Sequence, residues 1–166
     1  MIKTPEQILR EGVNSYINPD FKWLEFITPI NGKPNIEILK NIKNVADILS
    51  IYKHKLFNGN PVTITSGYRS PKHQIEIYKQ KGITDPGKIP MGSYHLKGLA
   101  ADFTVKDFSI GQLYRLMDIH HFGGVEDTQG NWQHIDLRGY NCRFRANNKI
   151  LVPHYNTISH DKIFRK

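Results

Sequence analysis

The stretch SYHLKGLAAD, residues 93–102, carries the strongest functional signal in this chain of 166 residues. It places His95 and Asp102 seven residues apart, so both side chains can reach one metal ion if the chain between them turns back. Gly98 permits that turn, because glycine adopts positive φ angles without steric cost. The stretch therefore predicts two ligands of a metal site, followed by a strand over residues 99–105.

His134 is the best candidate for a third ligand, because it lies in a predicted strand over residues 132–137. Alternation along that strand places Asp136 on the same face, either as a partner of a ligand or as a proton carrier. Catalytic zinc takes three protein ligands and keeps one open position. Spacing alone leaves an alternative, in which His95 lies in a turn and His134 is a hydrogen-bonded strand histidine.

Composition indicates one globular domain covering residues 1–166, with 39% hydrophobic and 23% charged residues. The net charge of +8 favours anionic partners, which include nucleic acid, anionic lipid and acidic cell-wall polymers. No nucleic-acid-binding motif is present, so nucleic acid is not an expected partner. The tail from Gly139 onward is basic, and it is either a solvated face or a contact to an anionic wall polymer.

The single cysteine, Cys142, excludes an intramolecular disulfide and a cysteine-based zinc site. Residues 1–6 lack the apolar run of a secretory signal, and no segment approaches the ~18 apolar residues of a membrane span. We expect a monomer that is made in the cytoplasm without a signal peptide and reaches an outside substrate only after release.

Periodicity and turn residues predict helices that alternate with strands. Helices are predicted over residues 4–16, 35–56, around 75–78 and over 109–119. Strands are predicted over residues 62–65, 99–105 and 132–137, with a short strand or turn at 122–125 and a further strand near Ile150 and Val152. An apolar patch is expected to pack on the core and consists of Phe21, Trp23, Leu24 and Phe26. The last ~10 residues are expected to be loose.

Three motifs occur in a fixed order: SGYRS at 66–70, SxHxxGxAxD at 93–102 and WxHID at 132–136. Together they resemble the family of zinc D-Ala-D-Ala carboxypeptidases and L-alanyl-D-glutamate endopeptidases, which shares its fold with the hedgehog signalling domain. The likeness is to the short phage and bacterial branch, and it spans roughly residues 20–145, the expected catalytic core.

The resemblance implies that His95, Asp102 and His134 hold zinc and that Arg69 binds substrate or stabilises the oxyanion. It implies an α+β fold, with a small antiparallel sheet, helices packed against it and the metal on the open face of the sheet. The implied activity is that of a DD- or LD-carboxypeptidase or an endopeptidase. Its substrate would be a peptidoglycan stem peptide or cross-link, as for a phage endolysin or a related cell-wall enzyme.

The chain departs from this family where the catalytic base is expected. Several branches carry a glutamate three residues before the last zinc histidine, and that position is Asn131 here. Other branches carry a histidine two residues before it, and that position is Trp132. Asn131 cannot take up a proton at neutral pH. The alternative function is therefore a non-catalytic, zinc-containing wall-binding or phage structural module of the same fold.

The base must then be another group near His134. Asp136 is the first choice, because it belongs to the His-x-Asp pattern of the short branch. The other candidates, in descending order, are Glu126 and Asp127 on a predicted loop, and then His120 and His121, for which a surface or helix-end role is favoured.

Overall fold

The computed structural model describes residues 1–128, 130–145 and 150–151. The helices are α1 (Pro5–Glu11), α2 (Trp23–Phe26), α3 (Ile36–Lys55), α4 (Pro71–Gln80) and α5 (Ile110–His120). The strands are β1 (Val62–Ser66), β2 (Ala100–Val105), β3 (Gly124–Glu126), β4 (Gln133–Asp136), β5 (Cys142–Phe144) and β6 (Ile150–Leu151). The expected α+β class is confirmed. Within the described residues, no helix combines the length and apolarity that a membrane crossing requires.

The strands form one sheet in the order β1-β2-β4-β3-β5-β6. Neighbouring strands are antiparallel except β3 and β5, which are parallel. The sheet was expected to be antiparallel, and this pair departs from that expectation for a topological reason. The chain reverses after β4 near Gly139, where φ is +81°, and then runs along the free edge of β3 in the direction of β3 itself.

Helix α3 is the long helix that the sequence predicts, and it supplies much of the core. The Asn35 side chain accepts a hydrogen bond from the backbone N–H of Ile38 and so caps its first turn. Its buried stripe matches the predicted one and consists of Leu39, Ile42, Val45, Ala46, Leu49 and Tyr52. These side chains share one core with the inward residues of the sheet, among them Ala101, Phe103 and Ile135.

Two predictions at the N-terminal end change in detail. Helix α1 ends at Glu11, well before residue 16, because Gly12 adopts a φ of +83° and leaves the helical path. The apolar patch packs on the core as expected, except that Leu24 is 39% exposed.

At the C-terminal end, the predicted strand near Ile150 is present as β6. Val152 and the last ten residues lie outside the described residues.

The outer face of the sheet carries a row of polar residues across three neighbouring strands. Asp102 of β2 lies opposite His134 of β4, and His134 lies opposite Glu126 of β3. Directly opposite residues on antiparallel strands project from the same face. The alternate residues Ala101 and Ile135 project into the core, and their burial keeps the polar row on the open face.

His121 ties this sheet to the helices from inside. It follows α5 directly, is fully buried, and donates from Nε2 to the carbonyl oxygen of Asp136 over 2.9 Å. Its Nδ1 accepts a hydrogen bond from the Tyr52 hydroxyl of α3 over 3.1 Å. Burial lowers the pKa of His121 to about 4, so the ring is neutral at neutral pH. His121 therefore has a structural position at the end of α5.

We predict that His121 makes the protein less stable as pH falls from about 6.5 to about 4. In that range the unfolded chain takes up a proton at His121 that the folded chain excludes, so the free energy of unfolding falls with pH. The loss amounts to about 3 kcal/mol over the whole range. Urea unfolding of the wild type and of His121→Gln at several pH values measures it.

In His121→Gln this pH-dependent contribution is expected to be absent, whereas the neighbouring variant His120→Gln should follow the wild type. Equal pH dependence in the wild type and His121→Gln would show that the His121 ring does not provide this contribution.

Candidate metal centre

Three side chains with metal-binding atoms meet on the open face of the sheet. His95, Asp102 and His134 are all buried, and one ligand atom from each lies within 4.8 Å of the other two. The Oδ1 atom of Asp102 is 3.3 Å from Nε2 of His95 and 2.7 Å from Nδ1 of His134. The structure thus brings together the three residues that the sequence singled out as ligands.

The backbone of Gly98 sets the position of His95. His95 lies in a short 3-10 turn, Tyr94–Lys97, which ends where Gly98 adopts a φ of +69°. A Cβ atom on Gly98 would also lie 2.8 Å from the carbonyl oxygen of Ile38 in α3. Glycine is therefore required twice, for the left-handed conformation and for the close approach to α3. The turn that the sequence predicts is confirmed.

The atoms of His95 and Asp102 that face away from the site are held by SGYRS residues. Nδ1 of His95 donates to the carbonyl oxygen of Gly67 over 2.7 Å, which leaves Nε2 as the lone-pair nitrogen. Oδ2 of Asp102 accepts a hydrogen bond from Nη2 of Arg69 over 3.1 Å. A Cβ atom on Gly67 would lie 2.6 Å from the carbonyl oxygen of Phe26, so the motif packs directly on α2.

His134 is oriented by Asp136, which is itself held by Arg138. Nε2 of His134 is 3.3 Å from Oδ2 of Asp136, which leaves Nδ1 facing Asp102. Arg138 donates to both carboxylate oxygens of Asp136, over 2.8 and 2.5 Å, and Gly124 adds a backbone N–H at 3.2 Å. Asp136 borders the cleft, but its side chain is 0% exposed because these partners cover it.

Aromatic rings and a glycine shape the surroundings of this carboxylate. The guanidinium carbon of Arg138 lies 4.6 to 5.8 Å from three ring centroids, those of Tyr94, Tyr140 and Phe144. A Cβ atom on Gly124 would overlap the carboxylate oxygens of Asp136. Gly124 therefore provides the room that the buried Asp136–Arg138 pair needs.

The electrostatics of the group suit a cation. Burial alone would raise the pKa of Asp102, but His95 and His134 outweigh it and lower that pKa below its ordinary value. Burial alone would lower the pKa of His134, yet hydrogen bonds to Asp102 and Asp136 raise it to about 9. Two buried carboxylates thus stabilise positive charge at His134. With two imidazole nitrogens and one carboxylate oxygen, the donor set fits zinc and leaves a fourth position.

Arg69 has donors to spare after orienting Asp102. Its Nε donates to the Ser66 hydroxyl over 3.0 Å, and its Nη1 donates to the Gln74 side-chain oxygen over 3.4 Å. A guanidinium carries five N–H groups, and these bonds together with the one to Asp102 use three. Among the described residues nothing accepts from the other two, so Arg69 can bind an anion in the cleft that it lines.

A cleft of about 520 Å³ opens over the three ligand candidates. Part of its lining comes from residues 78–94, with Tyr78 and Lys81, and part from residues 126–144, with Glu126 and Trp132. A cleft of this volume is large enough for a small organic ligand or several residues of a peptide.

The carboxylates considered as bases have different surroundings. Glu126 lines the cleft, is half-buried, and has no hydrogen bond or ion pair through its carboxylate within the described part of the chain. Burial raises the pKa of Glu126. Asp127 pairs instead with Arg145 over 2.9 Å, and it does not line the cleft. Asn131 is exposed and lies outside the lining as well.

Sequence reasoning assigned no role to two residues that position the site. Arg138 follows Asp136 by two residues, just after the predicted strand, and this spacing in an extended chain was a signal that the two could pair. Gln74 is 0% exposed and joins Arg69 to the carbonyl oxygen of Pro90 in the cleft wall. It gave no signal, because an amide within a short helix is usually exposed.

A comparison with protein-family models matches the family described as Peptidase M15 to residues 27–136. The matched segment includes Arg69 and all three ligand candidates. It confirms the zinc D-Ala-D-Ala carboxypeptidase and hedgehog-type family that the three motifs indicated. None of the curated proteins compared with the chain matches it.

We predict that Arg138→Gln weakens zinc binding by about 10- to 100-fold. Without the arginine, Asp136 is no longer fixed and no longer holds His134 with Nδ1 directed at the metal. Competition with a chromogenic chelator measures the affinity, and urea unfolding of the zinc-free variant shows whether it folds.

The matched control is Arg145→Gln, which removes an arginine paired with Asp127 outside the cleft lining and should leave zinc affinity unchanged. Wild-type zinc affinity in a folded Arg138→Gln protein would contradict the positioning role of this residue.

Proposed function

The chain belongs to the peptidase M15 family, whose members are zinc peptidases, and we propose that it hydrolyses peptide bonds in bacterial peptidoglycan. In this proposal His95, Asp102 and His134 hold the zinc ion. The observation that carries it is the buried His-Asp-His group on the floor of an open cleft. In each of the three side chains, the nitrogen or oxygen atom that faces away from the site contacts a hydrogen-bonding partner.

A bound zinc ion supplies Lewis acidity, which acidifies a water molecule and polarises a peptide carbonyl. The chain must supply a group that stabilises the negative charge developing on the carbonyl oxygen. We assign this role to Arg69, because it lines the cleft and has two N–H groups free of acceptors among the described residues. A fixed cation beside a buried site stabilises such charge with little reorganisation.

We assign the proton-accepting role to Glu126. Its carboxylate lines the cleft and lies across the strand pair from His134, with no arginine or lysine paired to it in the described residues. Asp136, the first choice from the sequence, is fully buried and engaged by Arg138 on both oxygens. Hydrogen bonds from Arg138 and His134 lower the pKa of Asp136 despite its burial, which makes it a poor proton acceptor. Asp136 then orients His134.

Within this function we propose the action of a phage endolysin or a related cell-wall enzyme on stem peptides or cross-links. The net charge of +8 suits a wall whose polymers carry carboxylates and phosphates. The alternative, a non-catalytic module, was based on Asn131 at the usual base position. The Glu126 carboxylate, which lines the cleft without a partner among the described residues, supports the hydrolase over that alternative.

We predict that the zinc-loaded protein lyses permeabilised Gram-negative cells, that a chelator abolishes lysis, and that added zinc restores it. His95→Ala should be inactive because it removes one of the three ligands. Turbidity measures lysis, and mass analysis of the released fragments identifies the cleaved bond. Absence of both lysis and fragments with a zinc-loaded protein would exclude the hydrolase and favour the non-catalytic module.

We predict that Glu126→Gln lowers kcat by about 10² to 10⁴ while leaving zinc content unchanged, because it removes the proton acceptor and keeps the shape. Asp127→Asn is the matched control on the next residue and should keep wild-type activity. Asp136→Asn should weaken zinc binding and recover much of its activity when zinc is saturating.

Wild-type turnover by Glu126→Gln would exclude Glu126 as the base. Loss of turnover in Asp136→Asn at full zinc occupancy would restore Asp136 as the first candidate.

A further inference from the structure

We propose that Lys81, together with Tyr78, forms a subsite that binds a free carboxylate of the substrate. This carboxylate subsite rests on the proposed function, because it selects among peptides cut at the metal centre. The substrate class it names is a peptide with an unamidated carboxylate close to the scissile bond.

The charges of the cleft point to Lys81. Among the described residues, three lysine or arginine side chains line it, namely Arg69, Lys81 and Arg138. Arg138 is engaged by both oxygens of Asp136, and Arg69 is partly engaged by Asp102. Lys81 is exposed and has no carboxylate within 4 Å among the described residues. Lys81 is therefore a cleft cation whose charge no carboxylate in the described part of the chain neutralises.

The local structure holds Lys81 in place for such a ligand. Its backbone N–H donates to the carbonyl oxygens of Ile77 and Tyr78 at the end of α4, over 3.3 and 3.1 Å. The chain then turns at Gly82, where φ is +79°. The Nζ atom of Lys81 lies 5.4 Å from the ring centroid of Tyr78, which also lines the cleft. The contact with the ring already restricts the Lys81 side chain, so less conformational entropy is lost when a ligand binds.

The other charged groups decide where a substrate carboxylate can lie. Glu126, on the part of the lining that comes from residues 126–144, repels it, whereas Lys81, on the part from residues 78–94, attracts it. A peptide bound across the metal centre thus places its carboxylate on the side of the cleft formed by residues 78–94, near Lys81. Stem peptides offer two sources of this chemistry, a carboxylate beside the main chain and the C-terminal carboxylate.

The experiment compares three synthetic stem peptides with zinc-loaded wild type and Lys81→Gln. One peptide is unmodified, one has its side carboxylate amidated, and one has its C-terminus amidated. Lys79→Gln is the matched control, because Lys79 is exposed on the last turn of α4 and does not line the cleft.

We expect Lys81→Gln to raise KM for the unmodified peptide by about threefold to tenfold, with kcat nearly unchanged. One of the two amidated peptides should show the raised KM already with the wild type and no further effect of Lys81→Gln. That peptide identifies the source of the carboxylate. Higher ionic strength should reduce the difference between wild type and Lys81→Gln, because salt screens an exposed ion pair.

Equal KM values for wild type and Lys81→Gln, or an equal loss on all three peptides, would overturn the subsite. If the wild type cleaves none of the peptides and releases no fragments from peptidoglycan, the proposed function fails. Whenever the peptides are not cleaved, their equilibrium binding to the zinc-loaded proteins tests the subsite separately. Weaker binding of the unmodified peptide to Lys81→Gln, with no such change for one amidated peptide, supports the subsite. Binding independent of Lys81 overturns it.

Discussion

The pairing of Asp102 with His134 across β2 and β4 is the constraint on which the site depends. It brings the Asp102 carboxylate within 2.7 Å of His134, and the same oxygen faces His95 at 3.3 Å. A slip of β4 by one residue against β2 would turn His134 into the core and Ile135 onto the open face. Because Ala101 and Ile135 fill the core from the alternate positions, the hydrophobic core itself secures the polar site on the other face.

The site also depends on the different surroundings of the two carboxylates near His134. Asp136 and Glu126 are both carboxylates in the lining of the cleft, yet their chemistry differs. Arg138 and Gly124 surround Asp136 with donors and keep it ionised and buried. Glu126 lacks such donors among the described residues, and burial raises its pKa, so it suits proton transfer. Environment, more than residue type, separates their roles.

Much of the fold could be predicted from local patterns. The stripe of α3, the strands β1, β2 and β4, and the turn at Gly98 follow from periodicity and backbone preference, which act over a few residues. The early end of α1 was missed because the apolar spacing was extended past Gly12, which leaves the helical path. The exposure of Leu24 was missed because apolar spacing does not show where packing stops. The parallel pairing of β3 with β5 was also missed, since it depends on the path of the chain after β4.

By itself, the sequence determined the family and the three side chains that meet at the centre, because the spacing and order of motifs are local properties of the chain. Only the tertiary structure decided which carboxylate is free in the cleft. Asp136 is neutralised by Arg138 and covered by Gly124, whereas Glu126 is set beside His134 by strand pairing. Burial and ion pairing arise from segments that meet only in the folded chain, so no local pattern could distinguish the two.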